Sequence, residues 1–205
     1  MRIAVAQIGS GENKEMNRYM IERLAWSASE AGADMLFLPE YAMFCAGSDR
    51  AARNMEAAEP LDGPFVTALS ELAAGQGLWI CAGMYEQTDG LPYNTVVVID
   101  DEGRLRGTHR KNRLYDAFGY RESEECRAGE PAGRLGIITC YALRFPELAA
   151  EQKKRGAEVL FVPAGWVCGE NKPLHWNTLL CARAIENGVT VIGADQYRAD
   201  HFIGH

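Results

Sequence analysis

Short apolar runs alternate along the chain with longer amphipathic stretches. Arg2 to Ile8, Asp34 to Leu38, Trp79 to Glu86, Asn94 to Asp100, Leu105 to Lys111, Leu135 to Thr139, Glu158 to Pro163 and Val189 to Ala194 read as strands. Most of them are the continuous, β-branched runs that a sheet buries on both faces. Between them the period changes. Asn13 predicts a helix start, and a helix to about Ala31 puts Met16, Met20, Leu24, Ala28 and Ala31 on one face before Gly32 ends it. Some helix is expected around Arg50 to Ala58. Pro64 opens another to about Gln76, with Phe65, Leu69 and Leu72 inward. Pro146 suits the first position of a helix that runs through Glu147 to Arg155 and stops at Gly156. Pro173 to Asn187 is a last helix, closed by Gly188, and the turn at Asp101-Glu-Gly103 makes its two flanking strands a hairpin. Strands and helices in alternation predict an α/β class built as a layered sandwich, one domain over 1–205.

Composition narrows the function classes. At 205 residues with 47% hydrophobic content the chain supports one sizeable core. A formal charge of −7 with no basic cluster argues against a nucleic-acid partner. Charges interrupt every apolar run before membrane-spanning length, and the apolar start after Arg2 is too short for a secretory signal, so no membrane partner is expected. The 6 cysteines are scattered with no CxxC pair, which supports neither a disulfide framework nor a zinc site. A reduced, cytoplasmic protein is expected. His201 and His205 have a helical ligand spacing but no evident third partner, so no metal is assigned.

The chemistry centres on Cys140. It stands where the run Leu135 to Thr139 ends and the chain turns toward the Pro146 helix, a corner that presents a side chain at the carboxyl edge of a sheet. Backbone N–H groups at such a corner face an incoming anion and would lower the thiol pKa. A cysteine is more often a small buried hydrophobe than a nucleophile. Its partners decide the matter. Glu40 follows a strand in Leu38-Pro39-Glu40-Tyr41, and Lys111 closes another in His109-Arg110-Lys111. Lys111 to Gly133 is long, polar and rich in Glu and Gly, as active-site loops are.

With Cys140-Tyr-Ala-Leu-Arg-Phe-Pro-Glu147 on the same chain, the sequence resembles the nitrilase superfamily of carbon–nitrogen hydrolases, in its amidase-like branch. Glu122-Ser123 before Gly129, His175-Trp176, Arg183-Ala-Ile-Glu-Asn187 and Gly204-His205 extend the resemblance over nearly the whole chain. It implies a four-layer αββα sandwich and a Glu-Lys-Cys triad that cleaves a small amide through a thioester, without a cofactor. Cys140 would be the nucleophile and Glu40 the general base. Lys111, with the backbone N–H of Tyr141, would hold the oxyanion, and Glu122 would orient Lys111. Tyr115, Tyr141, Trp166 and His175 would contact substrate, and Trp176 is a further candidate wall. Arg144 would either anchor the elbow or contact substrate. A homodimer or higher homo-oligomer is implied. Two departures stand out: Ala142 occupies a position where the family usually has Asp, and the chain stops at His205, so the family's C-terminal strands and tail are expected to be missing. An acyltransferase using the same thioester, or a non-catalytic member that binds a small molecule or partner, remains an alternative.

Overall fold

A computed structural model describes residues 1–47, 50–115, 133–199 and 201–204. Two sheets lie face to face between layers of helix. The first has five strands in sequence order: β1 (Ile3–Val5), β2 (Met35–Phe37), β3 (Trp79–Glu86), β4 (Tyr93–Ile99) and β5 (Leu105–Arg110). The first three are parallel, and β3-β4-β5 is an antiparallel meander. The second sheet is parallel, with order β6 (Leu135–Ile137), β7 (Val159–Ala164) and β8 (Thr190–Asp195). A small antiparallel ribbon, β9 (Tyr197–Arg198) and β10 (Phe202–Ile203), follows. The helices are α1 (Lys14–Glu30), α2 (Arg50–Ala57), α3 (Pro64–Gln76), α4 (Pro146–Lys154) and α5 (Lys172–Asn187).

Strand parity builds the layers. Along β2 to β4, Leu36, Ile80, Ala82, Met84, Val97 and Ile99 face α1 and α3. Their alternates Met35, Phe37, Cys81, Val96 and Val98 meet Leu135, Ile137, Phe161 and Ala194 of the other sheet. The rings of Phe37 and Phe161 stack 4.2 Å apart across this seam. On β7, Leu160, Val162 and Ala164 point the opposite way, into the apolar layer of α4 and α5. The result is the αββα sandwich, helix on sheet on sheet on helix.

Most element bounds match the sequence expectation, and the exceptions have local causes. α1 starts where Asn13 accepts the Met16 N–H, but its buried face is Asn17, Ile21, Ala25 and Ala28, and Met16 is exposed. Asn17 turns the face because its side chain bonds the backbone of Gly11 and Met43. The first strand is only three residues long, and β9 and β10 were not anticipated. Among the described residues no helix is long and apolar enough to cross a membrane.

One buried residue makes the fold sensitive to acid. His109 pairs opposite Val96 and so points into the seam between the sheets. Neither ring nitrogen has a partner among the described residues. Burial pushes its imidazole down to about 4. In the unfolded chain the same group titrates near ~6.5, so as pH falls the unfolded state takes up the proton first. His109 therefore adds no pH-dependent cost above about 6.5, and stability is lost toward pH 4, by on the order of 3 kcal/mol from this group. His109→Leu is expected to remove that loss, so that from pH 6.5 down to 4 the variant gains stability relative to wild type as read by urea unfolding; a difference from wild type that does not change with pH would show that His109 is not the group responsible.

Candidate active site

The carboxyl ends of β2 and β6, with the end of β5, deliver Glu40, Cys140 and Lys111 to one point. Leu38 extends the ladder by donating to Cys81, and the chain then turns sharply: Tyr41 has φ 64°. That left-handed corner buries Glu40 completely. It is possible because Gly83 lies beneath it; a Cβ there would sit 2.8 Å from the Tyr41 nitrogen. Lys111 N donates to Asn94 O, carrying the β4–β5 ladder one residue past β5. Lys111 therefore shares the seam-facing side of β5 with His109, whereas Arg110 points to the helix side and makes a two-pronged pair with Glu86. Cys140 follows β6 and opens a 3₁₀ turn, Cys140–Arg144, before α4 begins with Pro146 at its first turn.

The geometry is that of a desolvated ion pair with a thiol beside it. Lys111 Nζ lies 2.8 Å from Glu40 Oε1, and both side chains are at most 1% exposed. Asn94 Nδ2 donates to the same oxygen at 2.7 Å, and the Gly165 N–H donates to Oε2 at 2.7 Å. Three donors on one buried carboxylate fix its plane. The Cys140 thiol is pushed well above its ordinary pKa, first by burial, then by the Glu40 charge, with Lys111 opposing and a hydrogen bond to Glu40 adding to the shift. This corrects the expectation of a depressed thiol pKa: enclosure and the neighbouring carboxylate outweigh the cation. Cys140 itself has φ 50°, a left-handed conformation that costs a non-glycine residue about 1–3 kcal/mol.

The thiol opens onto a small cleft lined by Tyr115, Tyr141, Arg144, Gly165, Trp166, Val167 and Lys172. Trp166 stands against it with Arg144 stacked 4.8 Å over its ring, and its indole N–H donates to Lys172 O. Of the residues expected to contact substrate, Tyr115, Tyr141 and Trp166 line this cleft. His175 does not; it is exposed, 3.5 Å from Arg144 Nη2. Trp176 is core, packed against Trp166. Glu122 lies outside the described residues. Arg144, expected either to anchor the elbow or to contact substrate, lines the cleft and stacks on Trp166. Ala142 is fully buried in the α4–α5 layer, and its N–H donates to Thr139 O. Arg183, also buried, ties the turn down by donating to Leu143 O. Asn94, Gly165 and Lys172 were missed; a polar residue in an apolar strand was the available signal for Asn94. Among the described residues no cluster of potential ligands could hold a metal.

Comparison with known proteins agrees with this architecture. The carbon–nitrogen hydrolase profile matches residues 2–205. A hydrolase of Mycobacterium tuberculosis is 35% identical over 96% of the chain and 72% of its own length. Rat deaminated glutathione amidase is 35% identical over 97% of the chain and 66% of its own. In solved structures, the Caenorhabditis elegans NitFhit protein superposes with TM-score 0.85 at 32% identity, over 99% of this chain and 54% of that one. An amidase from Nesterenkonia sp. superposes with TM-score 0.79 at 26% identity, over 98% and 79%.

The pair's energetics are testable without a substrate. Lys111→Met strands a buried carboxylate and is expected to lower unfolding free energy by about 3–5 kcal/mol. Glu40→Gln with Lys111→Met should together lose less than the sum of the single losses, measured by urea unfolding; strict additivity would mean the two charges do not depend on each other.

Proposed function

The chain belongs to the carbon–nitrogen hydrolase family, and we propose that within it the protein is a cysteine-dependent amidase for a small amide whose acyl part carries an acid group. The observation that carries the reading is the Cys140 thiol held against the buried Glu40–Lys111 pair at the floor of a cleft. Because the thiol rests protonated, Glu40 must act first. It takes the Cys140 proton as Sγ attacks the amide carbonyl, and the carbonyl electrons move to oxygen, which Lys111 and the Tyr141 N–H stabilise. Glu40 then gives that proton to the leaving nitrogen, the C–N bond breaks, and a thioester remains. Water attacks the thioester with Glu40 again taking a proton, and the departing sulfur recovers it. Support comes from the Nesterenkonia amidase, in which a glutamate-to-glutamine variant carries the acetamide moiety of fluoroacetamide at the active-site cysteine.

The acid group is inferred from the cleft's charge. Arg144 and Lys172 both line it, and among the described residues no acid joins them in the lining and neither cation forms an ion pair. Burial and the Arg144 charge together push the Lys172 ammonium below its ordinary value, a repulsion that an anion between them would relieve. Mass spectrometry with a panel of small amides is expected to find an acyl adduct on Cys140, and Cys140→Ala should abolish turnover while keeping the fold. Turnover retained in Cys140→Ala would remove the nucleophile. Lys172→Met is expected to raise KM roughly 10-fold for an acid-bearing amide, the worth of one charged hydrogen bond, and to leave KM for a neutral amide of the same length nearly unchanged. Equal effects on both substrates would refute the anionic acyl group.

A further inference from the structure

Asp195 is a buried acid with no part in the reaction as proposed. It ends β8, paired in register with Ala164 at the end of β7, and it is fully enclosed. Among the described residues no cation pairs with it. Its Oδ1 accepts the Trp166 N–H at 2.6 Å and its Oδ2 accepts the Gly204 N–H at 3.0 Å. The amide just before Trp166 is the one that donates to Glu40: Gly165 N lies 2.7 Å from Glu40 Oε2. Consecutive N–H groups of one turn thus face two different acids. The turn is also confined from above, since a Cβ on Gly165 would come 2.8 Å from the Tyr41 ring. The next residue along, Gln196, donates Nε2 to the Glu40 main-chain oxygen at 2.7 Å and accepts the Ser10 N–H at 2.8 Å. The end of β8 therefore holds Glu40 twice, at its main-chain oxygen through Gln196 and at its side chain through the turn that Asp195 pins.

We propose that Asp195 is a positioning residue for Glu40: by anchoring the Trp166 N–H it aims the Gly165 N–H at Glu40 Oε2, leaving Oε1 to Lys111 and Asn94. This rests on the assignment of Glu40 as the base. Among the described residues, the titratable groups that feel the Glu40 charge are Lys111, Cys140, Asp195 and Cys45. Burial, against the Trp166 and Gly204 bonds and with the Glu40 charge adding to it, pushes Asp195 up to about 8. Through the acid limb of the rate profile Asp195 is thus uncharged, and its removal acts there by geometry. The Trp166 indole is held separately by Lys172 O and the Trp176 ring, so the cleft wall stays in place.

The test is Asp195→Ala, Asp195→Ser and Asp195→Asn in the full chain, each checked for folding by near-ultraviolet circular dichroism. Asp195→Ala is expected to lower kcat roughly 10- to 100-fold, the scale of a sub-ångström misplacement, with KM little changed. Its acid limb should move to higher pH, because a carboxylate that loses an N–H donor holds its proton more tightly. Asp195→Ser, too short to reach both amides, repeats the test where the alanine variant does not fold. Asp195→Asn keeps an acceptor and should recover most of the loss. A folded alanine or serine variant with wild-type kcat and acid limb overturns the proposal, as does a lowered kcat with the acid limb unmoved. If the unmutated protein forms no Cys140 adduct with any amide, the amidase reading has failed. Asp195 is then read by the pH dependence of Cys140 alkylation with iodoacetamide, where the same upward shift supports positioning and its absence refutes it.

Discussion

The fold is organised around keeping one opposite-charge pair dry. Glu40 and Lys111 are 71 positions apart in sequence and meet at 2.8 Å with essentially no access to water. Isolated, either charge would lose several kcal/mol of hydration; together, and with Asn94 and Gly165 supplying further donors, each offsets the other's loss. That condition fixes much else. β2 and β5 must end at the same level, the Gly165 turn must come within hydrogen-bonding reach from the second sheet, and the corner at Tyr41 must be tight enough to point a carboxylate inward.

Strand parity does the sorting. Arg110 and Lys111 are adjacent cations, yet one serves Glu86 on the helix side and the other Glu40 at the seam. A slip of one residue in the β4–β5 register would exchange them and leave both acids wrongly partnered. The antiparallel ladder, continued by the Lys111 N to Asn94 O bond, guards against that slip from the same residue whose side chain completes the carboxylate's shell. Scaffold and site share their hydrogen bonds.

What was legible in the sequence follows from how local each signal is. α3 runs Pro64–Gln76 as expected, because Pro64 opens it and Gly77 closes it in the left-handed region. β3 spans Trp79–Glu86, also as expected, since a long apolar run leaves little choice. The motif residues Glu40, Lys111 and Cys140 could be named because each sits at a strand end, and the structure brings them together. The failures are residues whose meaning is tertiary. Asn17 breaks the apolar stripe of α1 because its partners lie at Gly11 and Met43. Asp195 and Gln196 look like the polar end of a strand until the Gly165 turn and the Glu40 backbone are set beside them. The thiol's direction of shift was missed for the same reason: it depends on enclosure and on a carboxylate 100 positions upstream in the numbering from Glu40 to Cys140, and neither is visible in a local motif.

The two left-handed corners at Tyr41 and Cys140 carry a consequence for how this protein can change. Glycine would occupy either conformation without strain, so at both positions the backbone carries strain for the sake of the side chain it presents. At Cys140 the substitution that relaxes the backbone is also one that deletes the sulfur. Selection for robustness alone would therefore drift toward erasing the thiol, and a stabilising screen run without an activity filter would tend to recover well-folded, silent proteins. The thiol persists in such a lineage only while something tests for it.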